Sequence, residues 1–238
     1  MSWVIHNHEI IQSVQASVPI QDRGFLFGDG VFTSARVENG NVIHWEQHVS
    51  RLMEHCQEIN LQPPDFNKAD IDELILRNQA ERGIWKLKVI VTGGTDSRLS
   101  LPSRSYGVFL VTMEPYQEPE GKVKLCLYPH PIETPVSALK TLSYLPRLMV
   151  RQYALDQGAD DAVVCSADGW VLEGAFSNLY WEEGGEVFAP PLTLPLLPGT
   201  YLSTMTGWKE KRVTYDQLKE KENVFICNAM GSRACTFN

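Results

Sequence analysis

The amino-acid sequence predicts an α+β protein built as two lobes. Three observations lead there. Strand-like runs cluster in both halves of the chain with helical runs between them. A polar, proline-rich stretch at 114–121 interrupts the pattern once, and its core at 115–121 reads as a linker between a small N-terminal domain over 1–114 and a larger C-terminal domain over 122–238. A chain of 238 residues with 43% hydrophobic and 21% charged residues has enough apolar material to fold as one large domain or two small ones, and it is not a disordered sequence.

Taken in order, residues 3–11 are strand material, and 21–30 form a loop punctuated by Gly24, Gly28 and Gly30. Gly28-Asp29-Gly30 lacks the spacing of a phosphate loop and leads into a strand, so it predicts a tight turn. Asn39-Gly40 between apolar runs at 31–38 and 41–43 predicts a hairpin. Trp45, Val49, Leu52, Met53, Cys56 and Ile59 recur at helical spacing, which predicts an amphipathic helix over 45–59. A second helix is expected over 68–81, with strands at 85–92, 106–113 and 123–128. Pro146 suits the first turn of a helix over 145–155 and Gly158 its end. Beyond lie strands at 160–165 and 170–172, a compact loop at 173–178, and a hairpin around Gly184-Gly185. A helix opens after Pro198-Gly199 and extends to about Trp208; a strand at 224–228 precedes a short tail.

The formal net charge of −8 disfavours nucleic acid and anionic membrane surfaces as partners, because both would be repelled at long range. No apolar run approaches the roughly 20 residues of a membrane helix, and the stretch Met1-Ser2-Trp3-Val4-Ile5-His6 is not a basic-then-apolar leader; a cytoplasmic protein is expected. Cys56, Cys126, Cys165, Cys227 and Cys235 are odd in number and lack C-x-x-C spacing, so they read as free thiols. His44 and His48 stand four apart, but with Trp-Glu-Gln between them they read as partly exposed helix histidines, and no metal site is expected.

One stretch carries the chemistry. Lys140 lies between Leu139 and Leu142 where an extended segment approaches a helix. Desolvation lowers a lysine's pKa, and an unprotonated amine can attack a carbonyl. The bland alternative is a lysine whose methylenes lie on the surface while its charge stays in water.

Several segments combine with that lysine. Phe27-Gly28-Asp29-Gly30-Val31-Phe32, Arg51-Leu52, the Lys140 stretch, Glu173-Gly174 with Ser177-Asn178, and Leu197-Pro198-Gly199 occur in this order, with Glu173 33 residues after Lys140. In order and spacing the chain resembles the class IV, D-amino-acid and branched-chain aminotransferase-like family of pyridoxal-phosphate enzymes. The resemblance implies that family's two-lobed fold, a homodimer and pyridoxal 5′-phosphate as cofactor. It matches Lys140 to the amine that anchors the cofactor aldehyde and afterwards moves protons, and Glu173 to the carboxylate at the pyridine nitrogen. Arg51, the backbone of Gly199-Thr200-Tyr201 and the Asn228-Ala229 turn are matched to the phosphate, and Ser177, Asn178 and Leu197 to the surrounding cofactor site. Two departures stand out: the family's usual Gly-Ile/Val-Thr-Arg is Gly199-Thr200-Tyr201-Leu202, and its Ser/Thr pair is Asn228-Ala229. Tyr144 has two readings, a contact near the cofactor's phenolic oxygen and plain packing.

Aminotransferases of this group usually carry glutamate where this chain has Thr33. Phe32-Thr33-Ser34-Ala35-Arg36, Ile226-Cys227-Asn228-Ala229, and Leu87-Lys88-Val89 followed by Arg98 resemble the 4-amino-4-deoxychorismate lyases instead. That resemblance implies elimination of pyruvate from a dianionic substrate to leave 4-aminobenzoate. Lys88 and Arg98 would then receive carboxylates with Asn228 as neutral partner, and Ser34 would help protonate the leaving enolate; for Lys88 and Arg98 the alternative is plain solvated charge. A D-amino-acid or branched-chain aminotransferase and a non-catalytic binding protein are the rival readings. Arg233, near the end of the chain, has no task assigned by the resemblance.

Overall fold

The computed structural model describes residues 2–238; Met1, the first residue of the stretch inspected for a leader, lies outside them. The chain forms two compact units, 1–118 with 140–143, and 119–139 with 144–238.

The first unit contains β1 (Trp3–His6), β2 (Glu9–Gln12), α1 (Arg23–Phe27), β3 (Gly30–Glu38), β4 (Asn41–Val42), α2 (Trp45–Glu58), β5 (Leu61–Gln62), α3 (Lys68–Arg77), β6 (Ile84–Thr92), β7 (Arg104–Ser105) and β8 (Phe109–Pro115). Its main sheet has the order β2-β1-β8-β6-β3-β4. Alternation sets its two faces. Val31, Ala35 and Val37 of β3, Leu87, Val89 and Val91 of β6, and Val111 and Met113 of β8 are buried, as are Leu52 and Cys56 of α2 and Ile71, Leu74 and Ile75 of α3. The alternate residues Phe32, Ser34 and Arg36 share the other face with Lys86 and Lys88, since Ser34 pairs with Lys88 and Arg36 with Lys86.

β4 covers only the far end of β3, at Val37 and Glu38. Part of the uncovered edge takes up the lysine strip: Thr141 bridges Val31, the Phe32 N–H donates to the Lys140 carbonyl at 2.9 Å, and the Leu142 N–H donates to the Gly30 carbonyl at 2.9 Å. These bonds satisfy backbone groups that a bare edge would leave to water. They also correct the sequence expectation, which put Lys140 in the C-terminal domain: Lys140–Ser143 belongs with the first unit.

The second unit contains β9 (Val123–Leu127), α4 (Leu145–Asp156), β10 (Asp161–Cys165), β11 (Val171–Glu173), β12 (Asn178–Glu183), β13 (Glu186–Ala189), α5 (Thr200–Thr204), β14 (Lys209–Glu210), α6 (Tyr215–Lys219), β15 (Asn223–Asn228) and β16 (Gly231–Phe237). Six strands run β11-β10-β9-β16-β15-β12, and β12 pairs back onto β11 through Asn178 and Glu173, so the sheet closes on itself; β13 and β14 extend it from β12. Closure removes free edges. One core cluster holds Val123, Leu125, Val163, Leu179 and Trp181, and a second packs Val150 and Ala154 of α4 on Ala162, Val164 and Leu172.

Several sequence expectations change. The strand read over 3–11 is two strands joined by Asn7 and His8, both at positive φ. The 21–30 loop contains α1, whose start Asp22 caps by accepting from the Gly24 and Phe25 N–H groups and whose end Gly28 terminates at φ 67°. The helix expected to 208 stops at Thr204. The tail after 228 is β16, and Arg233 within it donates to the Glu120 and Gly121 carbonyls at 3.0 Å each. All five cysteines are free. Among the described residues no helix is long and apolar enough to cross a membrane.

Candidate active site

In the first unit, two lysines matched to the site by sequence meet at Phe32. The Lys140 Nζ lies 4.7 Å from the centre of its ring, and the Lys88 Nζ lies at the same distance. Lys88 stands across from Ser34 in the ladder. Burial, and then the neighbouring Lys86, hold the Lys88 amine below its usual pKa.

The other side of β3 faces α2. Arg51 Nη2 donates to Thr33 Oγ1 at 3.1 Å, and Thr33 Oγ1 lies 2.8 Å from His48 Nδ1. A guanidinium can only donate, so the threonine hydroxyl is left to donate its own proton to the imidazole. One turn further along α2, His55 Nδ1 accepts the Lys140 backbone N–H at 3.1 Å. Burial, with the Arg51 cation second, pushes His48 down to about 3 and His55 down to about 4; Lys140 adds to both. The pair is therefore neutral at pH 7 beside the permanent cation of Arg51. His48 is buried, not the partly exposed helix histidine that its spacing with His44 suggested.

In the second unit, Glu173 ends β11 at 4% exposure. Its Oε1 accepts from Arg147 Nη2 in an ion pair, and its Oε2 accepts the Leu197 N–H at 3.3 Å. The loop that follows is tightly made. Ser177 Oγ donates to Asp161 Oδ2 at 3.1 Å, and the Ala175 N–H donates to Asp161 Oδ1 at 3.1 Å. Asn178 Nδ2 donates to the Leu197 carbonyl at 2.8 Å, and a Cβ on Gly199 would overlap Asn178 Oδ1. Ser177 and Asn178, matched to the cofactor site by sequence, thus spend their side chains on Asp161 and on the 197–199 backbone. Buried Thr200 and half-buried Tyr201 open α5. Tyr144 stacks on Phe176 with ring centres 5.3 Å apart. Asn228 Oδ1 accepts the Met230 N–H at 2.8 Å across the Ala229-Met230 turn.

Of the two readings of Arg98, carboxylate recognition and solvated charge, its present surroundings match the second. Its side chain is 62% exposed and bonded to Asp96 two residues away, so the nearby carboxylate already occupies it. The loop that bears it is anchored from beneath. Asp29 accepts from Arg23 Nε and Arg104 Nη2 at 2.6 Å each; Arg23 donates to the carbonyls of Asp96, Arg98 and Ser100, and Arg104 to those of Gly93 and Pro102.

Sequence reasoning missed Arg147, His55 and Asp161. His48, Arg51 and His55 lie on one helical face, a signal that was legible. Arg147 and Glu173 are 26 residues apart and no local period links them.

The family model for amino-transferase class IV matches residues 30–234. The chain belongs to this family. A D-alanine aminotransferase of Bacillus licheniformis is 28% identical over 94% of this chain and 83% of its own length. A hypothetical aminotransferase from Mycobacterium tuberculosis in its PLP-bound form superposes with a TM-score of 0.84 at 21% identity, covering 100% of this chain and 91% of that one. A Legionella pneumophila structure provisionally assigned as a 4-amino-4-deoxychorismate lyase gives a TM-score of 0.83 at 24% identity over 95% of this chain and 89% of that one. The class IV fold, mixed helix and strand, is therefore that of this protein, and its cofactor is pyridoxal 5′-phosphate. Each unit by itself carries residue types that suit such a group: the first an amine at Lys140 and a guanidinium at Arg51 beside histidines kept neutral, the second a buried carboxylate at Glu173.

Proposed function

We propose that this class IV enzyme is a lyase that splits 4-amino-4-deoxychorismate into 4-aminobenzoate and pyruvate, a step of folate precursor synthesis. The observation that carries the reading is the cluster on β3 and β6, where Lys140 and Lys88 meet the Phe32 ring and Ser34 stands opposite Lys88. Thr33, at the position where the family's aminotransferases usually carry glutamate, supports it.

Bound pyridoxal phosphate supplies an electron sink for the substrate carbon that bears the amine. Lys140 would hold the cofactor through its aldehyde and would take the proton from that carbon. The ring carbon–oxygen bond of the enolpyruvyl ether would break, and Ser34 would help to pass a proton to the departing enolate to give pyruvate, the proton taken up by Lys140 making good the one passed on. Loss of proton and enolpyruvate leaves an aromatic ring, so the elimination runs downhill and needs no amino acceptor. Lys88 receives a substrate carboxylate; Arg98 receives another by exchanging Asp96 for the ligand, and Asn228 is a neutral partner. Arg51, the amides of Gly199, Thr200 and Tyr201, and the Asn228-Ala229 turn would hold the phosphate. Ser177, Asn178 and Leu197 would shape the loops of the cofactor site, Glu173 would pair with the pyridine nitrogen, and Tyr144 would serve the phenolic oxygen. We place the enzyme in the cytoplasm as a homodimer.

A second reading, an aminotransferase of D- or branched-chain amino acids, is favoured by the names of the relatives. The two separate cleanly when aminodeoxychorismate is offered without a keto acid, beside a panel of amino donors with 2-oxoglutarate. Rapid release of pyruvate and 4-aminobenzoate is expected; transamination that outpaces it would overturn the lyase.

A further inference from the structure

Arg147 is given no role by the sequence resemblance or by the mechanism above, yet it is a cation bonded to the carboxylate matched to the pyridine nitrogen. It sits in the first turn of α4 with its side chain 16% exposed, and the Glu173 side chain is 5% exposed. One arm of the guanidinium, Nη2, donates to Glu173 Oε1, while Nη1 reaches the Gly174 carbonyl at 3.4 Å. Those two contacts, from one rigid planar group, fix both the end of β11 and the direction of its carboxylate. The Leu197 N–H holds the second oxygen at 3.3 Å. Charged groups at this loop also include Asp161 on β10, which accepts from Ser177 and Ala175, and Arg151 on α4, whose charge acts on Asp161.

We infer that Arg147 is a positioning residue that orients Glu173 and, by sharing its negative charge, lowers the proton affinity of the cofactor's pyridine nitrogen. The inference rests on the proposed pairing of Glu173 with that nitrogen. A carboxylate shared with a buried guanidinium offers less charge to a second partner than a lone one, because both draw on the same oxygens at low effective dielectric. The electron sink is thereby set to an intermediate strength. An elimination that ends in an aromatic ring can proceed with such a sink.

The test uses holoenzyme loaded with ring-15N-labelled pyridoxal phosphate, following the nitrogen's chemical shift against pH. R147Q removes the charge, so the midpoint of ring-nitrogen deprotonation should rise by about one pH unit, a tenfold gain in proton affinity. R147M, which keeps the apolar stem, is the second neutral variant should R147Q not fold. R147K keeps the charge and should restore the midpoint to within about threefold of wild type. A merely structural arginine would change stability and leave the midpoint alone. Bound cofactor whose midpoint is the same in wild type and in a neutral variant overturns this inference alone, as does an R147K midpoint displaced as far as that of the neutral variant. Wild-type protein whose ring nitrogen does not respond to E173Q overturns the pairing on which the inference stands.

Discussion

Lys140 is held by both of its backbone groups, the N–H on His55 and the carbonyl accepting from Phe32, so the strip does not depend on its side chain for its place. Lys140→Ala should therefore abolish turnover, and the cofactor attachment that borohydride makes permanent, while the circular dichroism spectrum stays that of wild type. Retained turnover would remove the mechanism. The histidines beside it make a second prediction. His48 and His55 take protons only near pH 3 and 4, whereas an unfolded chain takes them near 6.5. The unfolded state thus binds more protons between those values. The stability this provides is fully present above about pH 6.5 and is lost as the pH falls towards 4 and then 3. Urea unfolding of His55→Gln should show a shallower fall over this range than wild type; equal slopes would mean that His55 titrates normally in the folded protein.

At the scale of elements, Asp29 shows why the Gly28-Asp29-Gly30 triplet exists. It is a turn between α1 and β3, as its spacing suggested, but its carboxylate is the shared counter-charge of two buried arginines that lace the 93–104 loop. Removing one partner of such a group leaves buried charge uncompensated, at a cost of about 3–5 kcal/mol. Asp29→Asn should destabilise the protein by that order and raise protease cleavage at Arg98, read by limited proteolysis with trypsin; a cleavage rate equal to wild type would show that the loop has other anchors. Local chemistry made some elements legible. Asn39-Gly40 and Gly184-Gly185 turn their hairpins at positive φ, and the apolar spacing from Trp45 produced α2. β16 was not legible, because its place depends on pairing with β15 on one side and with β9, more than a hundred residues earlier, on the other. The short α5 and α6 were missed or overextended for a related reason: five residues carry too little periodicity to announce a helix or its end.

For the whole molecule, the exposed row on α4 bears on assembly. Leu145, Leu148, Met149 and Leu155 are 67%, 51%, 56% and 49% exposed and follow helical spacing. A row of large apolar residues left in water is what a homodimer of the proposed kind would cover. Replacing Leu148 and Met149 together by glutamate should convert the species seen by sedimentation from dimer to monomer; a wild-type monomer, or a variant that stays dimeric, would move the interface elsewhere or remove it. The sequence by itself determined the class IV family and its cofactor, because these rest on residue types in a set order along the chain. Only the tertiary structure decided that the lysine strip completes the edge of the N-terminal sheet, that Lys88 shares its aromatic neighbour, and that Arg147 claims part of Glu173. The physical reason is that a hydrogen bond or an ion pair depends on distance in space. Residues 26 or 110 positions apart leave no mark of their meeting in the local pattern.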